Sequence, residues 1–256
     1  MNSEQIRKIL EESYLSEKTL EKDVLRNLHQ LLSSGTIFVD VGANIGQSIF
    51  QGNKIIEKGS IYAIEPDPTR FALLKENSRK WEPLYYNTIH VANIAMSDKN
   101  SEDEPFFVTN SPVSGFSTKY NLSNLEEKVR EAVTWQEITV ASYKLDTLFK
   151  AIDPDLIKIA TGGNELKILQ GATKILKKGK ARFLIEPYER KSPKISNYNF
   201  EDICHWMKGF GYEQKAFYSQ VLFSHPKKFA VNRLQQACLQ MLPEYPRRRL
   251  LRKMGK

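Results

Sequence analysis

The chain has 256 residues, 41% of them hydrophobic, with 38 Lys and Arg against 30 Asp and Glu for a formal charge of +8. That composition is too apolar for a disordered chain, and no repeat period or Pro, Gly or Ser tract divides it, so one sizeable α/β domain with its own core is expected. Residues 1–5 lack a secretory layout and no apolar run is long enough to span a bilayer, which leads us to expect a soluble cytoplasmic protein.

Leu20, Val24, Leu28 and Leu31 recur at helical spacing after Ser16, a fitting N-cap, and Gly35 closes this amphipathic helix. The expected layout is a helical extension over residues 1–35, a main domain over 36–235 and a basic tail over 236–256. Residues 38–46, Phe-Val-Asp-Val-Gly-Ala-Asn-Ile-Gly, read as a buried strand running into a glycine turn. A helix should follow from Gly46 to about Glu57, then a strand at 61–64 ending in the acid Glu65. Helix 68–80, strand 88–95 and a polar turn at 97–100 come next. Short strands are expected at 105–108 and 137–140, separated by a breaker-rich loop at 111–118 placed to grip a substrate. Strand 155–159 leads through a turn at 161–164 into one helix that carries Leu166, Leu169, Ala172 and Leu176 and ends at Gly179. Strand 182–185 ends at Glu186, and a helix at 200–208 with two final strands completes a seven-stranded, mostly parallel sheet with helices on both faces.

The strand, glycine turn, crossover and acid-tipped second strand make a nucleotide-type cofactor site, in which Glu65 would reach a ribose diol. Asp40 lies where a dinucleotide's pyrophosphate would sit, and like charges repel. S-adenosylmethionine has no phosphate and carries a cationic sulfonium and ammonium, so Asp40 favours it over NAD or ATP. Cys204 and Cys238 are too few for a disulfide or zinc framework, and His29, His90, His205 and His225 are isolated, so structural roles and no metal site are expected. Much of the excess charge lies in residues 247–256, a solvated tail with no interleaved aromatics for stacking nucleic-acid bases.

These motifs have a family likeness. Val-Asp-Val-Gly-Ala-Asn-Ile-Gly at 39–46, Glu65-Pro66-Asp67-Pro68, Ala95-Met96-Ser97-Asp98, Leu145-Asp146-Thr147-Leu148, Ile157-Lys158-Ile159, Glu165 with Leu169-Gln170-Gly171-Ala172, and Ile185-Glu186 together resemble the FkbM-type S-adenosylmethionine-dependent methyltransferases. The resemblance implies a class I methyltransferase fold and methylation of hydroxyl groups on sugars or secondary metabolites. It places Asp40, Gly42, Ala43, Asn44 and Gly46 beside the methionine part of the cofactor, Glu65 with Pro66 and Asp67 at the ribose, and Ser97 and Asp98 at the adenine.

One motif departs from the family. Where the pattern runs Ile-Asp-(Val or Thr)-Glu-Gly-x-Glu, this chain has Ile159-Ala160-Thr161-Gly162-Gly163-Asn164-Glu165, so Ala160 and Gly162 replace two acids. A positioned base that removes an alcohol proton is commonly worth about 10² to 10⁴ in rate. The expected bases are then Glu165, Glu186 and Asp98, and Tyr188 stands where the family often has a histidine. Two readings follow: an O-methyltransferase acting on a small-molecule or glycan hydroxyl, or a cofactor-binding protein, natural or engineered, impaired by the loss of those acids. Nucleic-acid methylation is a weaker third, motivated only by the basic tail.

Overall fold

The computed structural model describes residues 22–109, 135–187, 198–217 and 220–226. Ser16, the loop at 111–118, Tyr188, Cys238 and the basic tail lie outside the described residues.

Ten strands and seven helices alternate along the described chain: α1 (Lys22–Leu31), β1 (Ile37–Val41), α2 (Gln47–Ile55), β2 (Ser60–Ile64), α3 (Pro68–Tyr85), β3 (Thr88–Ala92), β4 (Ala95–Met96), β5 (Ser101–Thr109), β6 (Trp135–Tyr143), α4 (Leu145–Leu148), β7 (Leu156–Ile159), α5 (Glu165–Gln170), α6 (Thr173–Lys178), β8 (Arg182–Ile185), α7 (Phe200–Gly209), β9 (Glu213–Phe217) and β10 (Gln220–Ser224). The main sheet has the order β3-β2-β1-β7-β8-β10-β9. Its strands are parallel except β10, which runs antiparallel to both β8 and β9. The chain builds outward from β1 through β2 to β3, then resumes on β1's other side with β7. The carboxyl ends of β1 and β7 therefore flank a topological switch point, where open α/β sheets bind ligands.

Strand alternation divides the core into two layers. Val39, Val41, Ile157, Ile159, Phe183 and Ile185 pack under α4, α5, α6 and α7. Phe38, Leu156, Leu184 and Ile61 face α1, α2 and α3. Leu28 of α1 is fully buried there, and Asn27 donates to the Phe217 carbonyl and the Gln220 side chain. Helix α1 thus belongs to the main core.

Several elements depart from expectation for identifiable reasons. Helix α2 stops at Ile55 because Ile56 turns extended, and Asn87 donates to the carbonyls of Asn53 and Ile56. Helix α3 runs through Pro83 to Tyr85, five residues beyond expectation. Trp81 holds this last part, its ring 5.0 Å from that of Phe50 and its carbonyl accepting from Asn53. Strand β3 ends early because Asn93 turns aside to donate to the Glu65 and Pro66 carbonyls. Residues beyond it enter a second sheet, β4-β6-β5, in which β5 and β6 are each longer than expected. The single helix expected after β7 is two. At the break, Asp146 accepts from Thr173 Oγ1, Lys174 N and Ile175 N and so caps α6, while a Cβ on Gly171 would lie 2.1 Å from the Ser97 carbonyl oxygen.

Candidate functional site

The tips of β1 and β2 form one side of the switch-point crevice. Gly42 and Ala43 both donate to the Ile64 carbonyl, tying the glycine turn to the neighbouring strand. Gly42 has φ +82°, and a Cβ there would lie 2.1 Å from the Ala160 carbonyl oxygen. Its bareness lets β1 and β7 close on each other. Gly46, at φ +99°, would meet Leu74 and Trp81 of α3, so it serves helix packing. The expectation that both glycines admit a ligand is therefore refined: their side-chain directions are filled by the protein itself.

Glu65 is buried, and its two oxygens accept from Asn44 N at 2.8 Å and Asp67 N at 3.0 Å. Burial dominates its titration and pushes its pKa up to about 7, against the lowering effect of the Asp67 N–H, the Arg70 charge and the Asn44 N–H. Each carboxylate oxygen keeps a lone pair after one backbone bond, which leaves capacity for a ribose diol. Asn44 stands in the left-handed region at φ +54°, and its Oδ1 is buried without a hydrogen-bond partner. Asp67 is engaged by the helix that follows. Its carboxylate accepts from Thr69 N and Arg70 N as the N-cap of α3 and pairs with the Arg70 guanidinium. Pro66 and Asp67 shape this helix start, with Pro68 in its first turn.

Asp40 has a buried counter-charge. It is fully buried, and its Oδ1 forms an ion pair with Lys158 Nζ at 2.9 Å. The partner neutralises the acid locally, so charge repulsion by Asp40 is no longer an argument against a dinucleotide. Asp40 Oδ2 is buried with no hydrogen-bond partner. Lys158 stands in the family motif Ile157-Lys158-Ile159 with no role expected of it, although a lysine inside the buried run Leu156-Ile157-Lys158-Ile159 signals a buried counter-charge.

Across the crevice, the turn after β7 folds around Glu165. This carboxylate is fully buried; Oε1 accepts from Thr161 N at 3.1 Å, Thr161 Oγ1 at 3.2 Å and Gly163 N at 3.1 Å, and Oε2 accepts from the Tyr198 hydroxyl. Burial raises its pKa, while the Tyr198 hydroxyl and the turn's N–H groups oppose that rise. With four donors, Glu165 anchors the turn. Gly162 and Gly163 have φ +67° and +114°, a path that glycine takes readily. Asn164 donates to the Met96 carbonyl and leaves Oδ1 buried and unpartnered.

Glu186 continues β8 beside Ala160: Ile159 pairs with Ile185, and Glu186 N donates to the Ile159 carbonyl. It is half-buried. Ser97 is buried, its N–H donating to the Tyr143 carbonyl and its hydroxyl to Asp98 Oδ1, which leaves Asp98 half-exposed at the end of β4. Asp40, Gly42, Ala43, Asn44, Glu65 and Glu186 thus lie at or just beyond the carboxyl ends of adjacent strands, and Asp40, Asn44 and Asn164 each carry a buried unpartnered acceptor. Among the described residues no three His, Cys, Asp or Glu side chains are grouped to hold a metal ion, and no helix is long and apolar enough to cross a membrane.

The chain is similar to known methyltransferases. A hexuronic acid methyltransferase of Haloferax volcanii, AglP, is 27% identical over 160 residues, which are 61% of this chain and 58% of that protein. The solved methyltransferase FkbM of Methylobacillus flagellatus KT is similar over 82% of this chain and 60% of its own, at 14% identity and a TM-score of 0.49. A precorrin-6y C5,15-methyltransferase structure from Geobacter metallireducens GS-15 is similar over 82% and 88%, at 13% identity and a TM-score of 0.45. The chain therefore spans only about three-fifths of the length of the first two. Residues 40–213, more than half of the sequence, match the methyltransferase FkbM domain. They run from the acid of β1 to the first residue of β9, and on this match the chain belongs to the FkbM methyltransferase family.

Proposed function

We propose that the protein transfers the methyl group of S-adenosylmethionine to a hydroxyl oxygen of a sugar or other small hydroxylated metabolite. The carrying observation is the acceptor-rich edge of β1 and β2: the Glu65 carboxylate, with Asp40 Oδ2 and Asn44 Oδ1 buried and unpartnered beside it. Those groups suit a ligand that presents a ribose diol and an ammonium. S-adenosylmethionine, when bound, supplies an electrophilic methyl group. Glu65 would hold the ribose, and Asp40 and Asn44 the methionine part, while Ser97 and Asp98 border the adenine side.

The acceptor would lie over Ala160, where no carboxylate waits. Glu186 is then the base we favour, because strand register sets it next to Ala160. In that role Glu186 would take the proton of the acceptor hydroxyl while the site holds its oxygen toward the methyl group. Holding the oxygen in line with the methyl supplies much of the remaining barrier reduction. A hexuronic acid is a natural first acceptor to try, given the relative from Haloferax volcanii. The family supports a small-molecule or glycan acceptor in preference to a nucleic acid or a dinucleotide. A cytoplasmic location, where Cys204 and Cys238 stay reduced, belongs to the same reading.

The second reading, cofactor binding with impaired transfer, is favoured by Ala160 and Gly162 together with the engaged Glu165. Mass spectrometry of sugars and hexuronic acids incubated with protein and S-adenosylmethionine separates the two. A methylated product supports transfer; cofactor binding with no product from any acceptor supports the second reading.

A further inference from the structure

Strand β7 is buried at all four positions, yet its third residue is Lys158. An uncompensated charge there would be strongly unfavourable. Its partner lies directly across the parallel register, Asp40 of β1, with 2.9 Å between Nζ and Oδ1 and exposures of 6% and 0%. The pair faces the α2 side of the sheet, one residue inside the tips of the two strands that flank the switch point. Only half of the carboxylate is used, since Oδ2 is buried without a hydrogen-bond partner. The acid that opens the glycine turn therefore offers an acceptor atom and very little net charge.

We infer that Lys158 is a positioning residue that sets the charge of the cofactor pocket, cancelling Asp40 so that the pocket binds its ligand by hydrogen bonding and shape with little selection for the sulfonium. This rests on the reading that the pocket takes S-adenosylmethionine. S-adenosylmethionine and S-adenosylhomocysteine share the ammonium, carboxylate, ribose and adenine and differ by the methyl group and the sulfonium charge. The ratio of their affinities therefore reports the charge at Asp40. A neutral pair gives similar affinities, so the product competes with fresh substrate. Sustained turnover then requires a separate reaction that consumes the thioether product.

Calorimetric titration of the full chain with both ligands tests this. For the wild type, the two dissociation constants should agree within about threefold. Lys158→Met leaves the carboxylate alone and should shift the ratio about tenfold or more toward the sulfonium; Asp40→Asn leaves the ammonium alone and should shift it by a similar factor the other way. The neutral double variant, Asp40→Asn with Lys158→Met, should return to the wild-type ratio, and Lys158→Arg should keep it. Opposite shifts from two members of one buried pair are not produced by general damage to the fold. If Lys158→Met does not fold, Asp40→Asn against the double variant carries the same comparison. Single variants that bind both ligands in the wild-type ratio, or that shift it in the same direction, overturn the inference. A folded wild type that binds neither ligand overturns the reading of the pocket, and the inference with it.

Discussion

The two halves of the crevice are built from the same parts and arranged differently. At the tips of β1 and β2, Glu65 is buried with one backbone N–H on each oxygen and capacity left over. At the tip of β7, Glu165 is buried with four donors, and the positions that would carry acids in the family pattern are Ala160 and Gly162. A buried carboxylate can therefore keep acceptor capacity or spend it, according to how many donors its own chain supplies. Gly42 joins the halves, because its missing side chain lets the Ala160 carbonyl sit against the glycine turn.

The largest expected effect comes from breaking that joint. Gly42→Val places a β-branched side chain at φ +82° and against the Ala160 carbonyl, and should cost about 4 kcal/mol or more. Thermal unfolding followed by circular dichroism should show loss of the cooperative transition or a large fall in Tm. A value within a degree or two of wild type would show that the halves are not pressed together.

Glu165→Ala is next. It strips four donors of their acceptor and should destabilise by about 3 kcal/mol, whereas Glu165→Gln, which retains one acceptor oxygen, should cost less. A Glu165→Ala protein that unfolds like the wild type but transfers no methyl would make this residue the base after all.

Glu65 sharpens the comparison through pH. Its folded pKa of about 7 lies above the ordinary carboxylate value of 4.5, so the folded form binds the proton more tightly. The associated stability is fully present below pH 4.5 and is lost as pH rises through about 7, a swing of about 3 kcal/mol. Urea unfolding between pH 5 and pH 8 should show that slope, and Glu65→Gln should flatten it. An unchanged slope in the variant would assign the dependence elsewhere.

On the other half, Ala160→Asp should raise methyl transfer at least about tenfold with a suitable sugar acceptor, roughly 1.4 kcal/mol of barrier. Gly162→Glu should help less, because φ +67° strains a side chain by about 1 kcal/mol. If Ala160→Asp binds cofactor and acceptor but turns over no faster, Glu186 already suffices. The smallest effect is expected from truncation before Arg247, which should leave affinity for S-adenosylhomocysteine unchanged and remove only salt-sensitive contact with polyanions. Loss of cofactor affinity in the truncated chain would place the tail in the site.

The sheet was legible because its strands carry period-two or continuous apolar runs bounded by glycine and polar turns, and Glu65 because an acid ends such a run. Partners were harder to read. Nothing local to Asp40 announces Lys158, 118 positions away, and nothing in Glu165 announces Tyr198. Asp67 looked like part of a ligand motif, yet the Pro68 beside it is equally the mark of a helix start, and the cap prevailed. The helix break at Gly171 depends on Asp146 from another segment, so no reading of residues 165–178 alone finds it.

We have proposed that the edge of β1 and β2 holds S-adenosylmethionine through Glu65. The most direct measurement is calorimetric titration of S-adenosylhomocysteine into the wild type and Glu65→Gln at pH 8, above the Glu65 pKa of about 7. The account predicts saturable binding to the wild type at one site and at least about tenfold weaker binding to the variant, since the hydroxyls of the ribose lose a charged acceptor. Equal affinity in the two folded proteins, or no binding to the wild type, would contradict it.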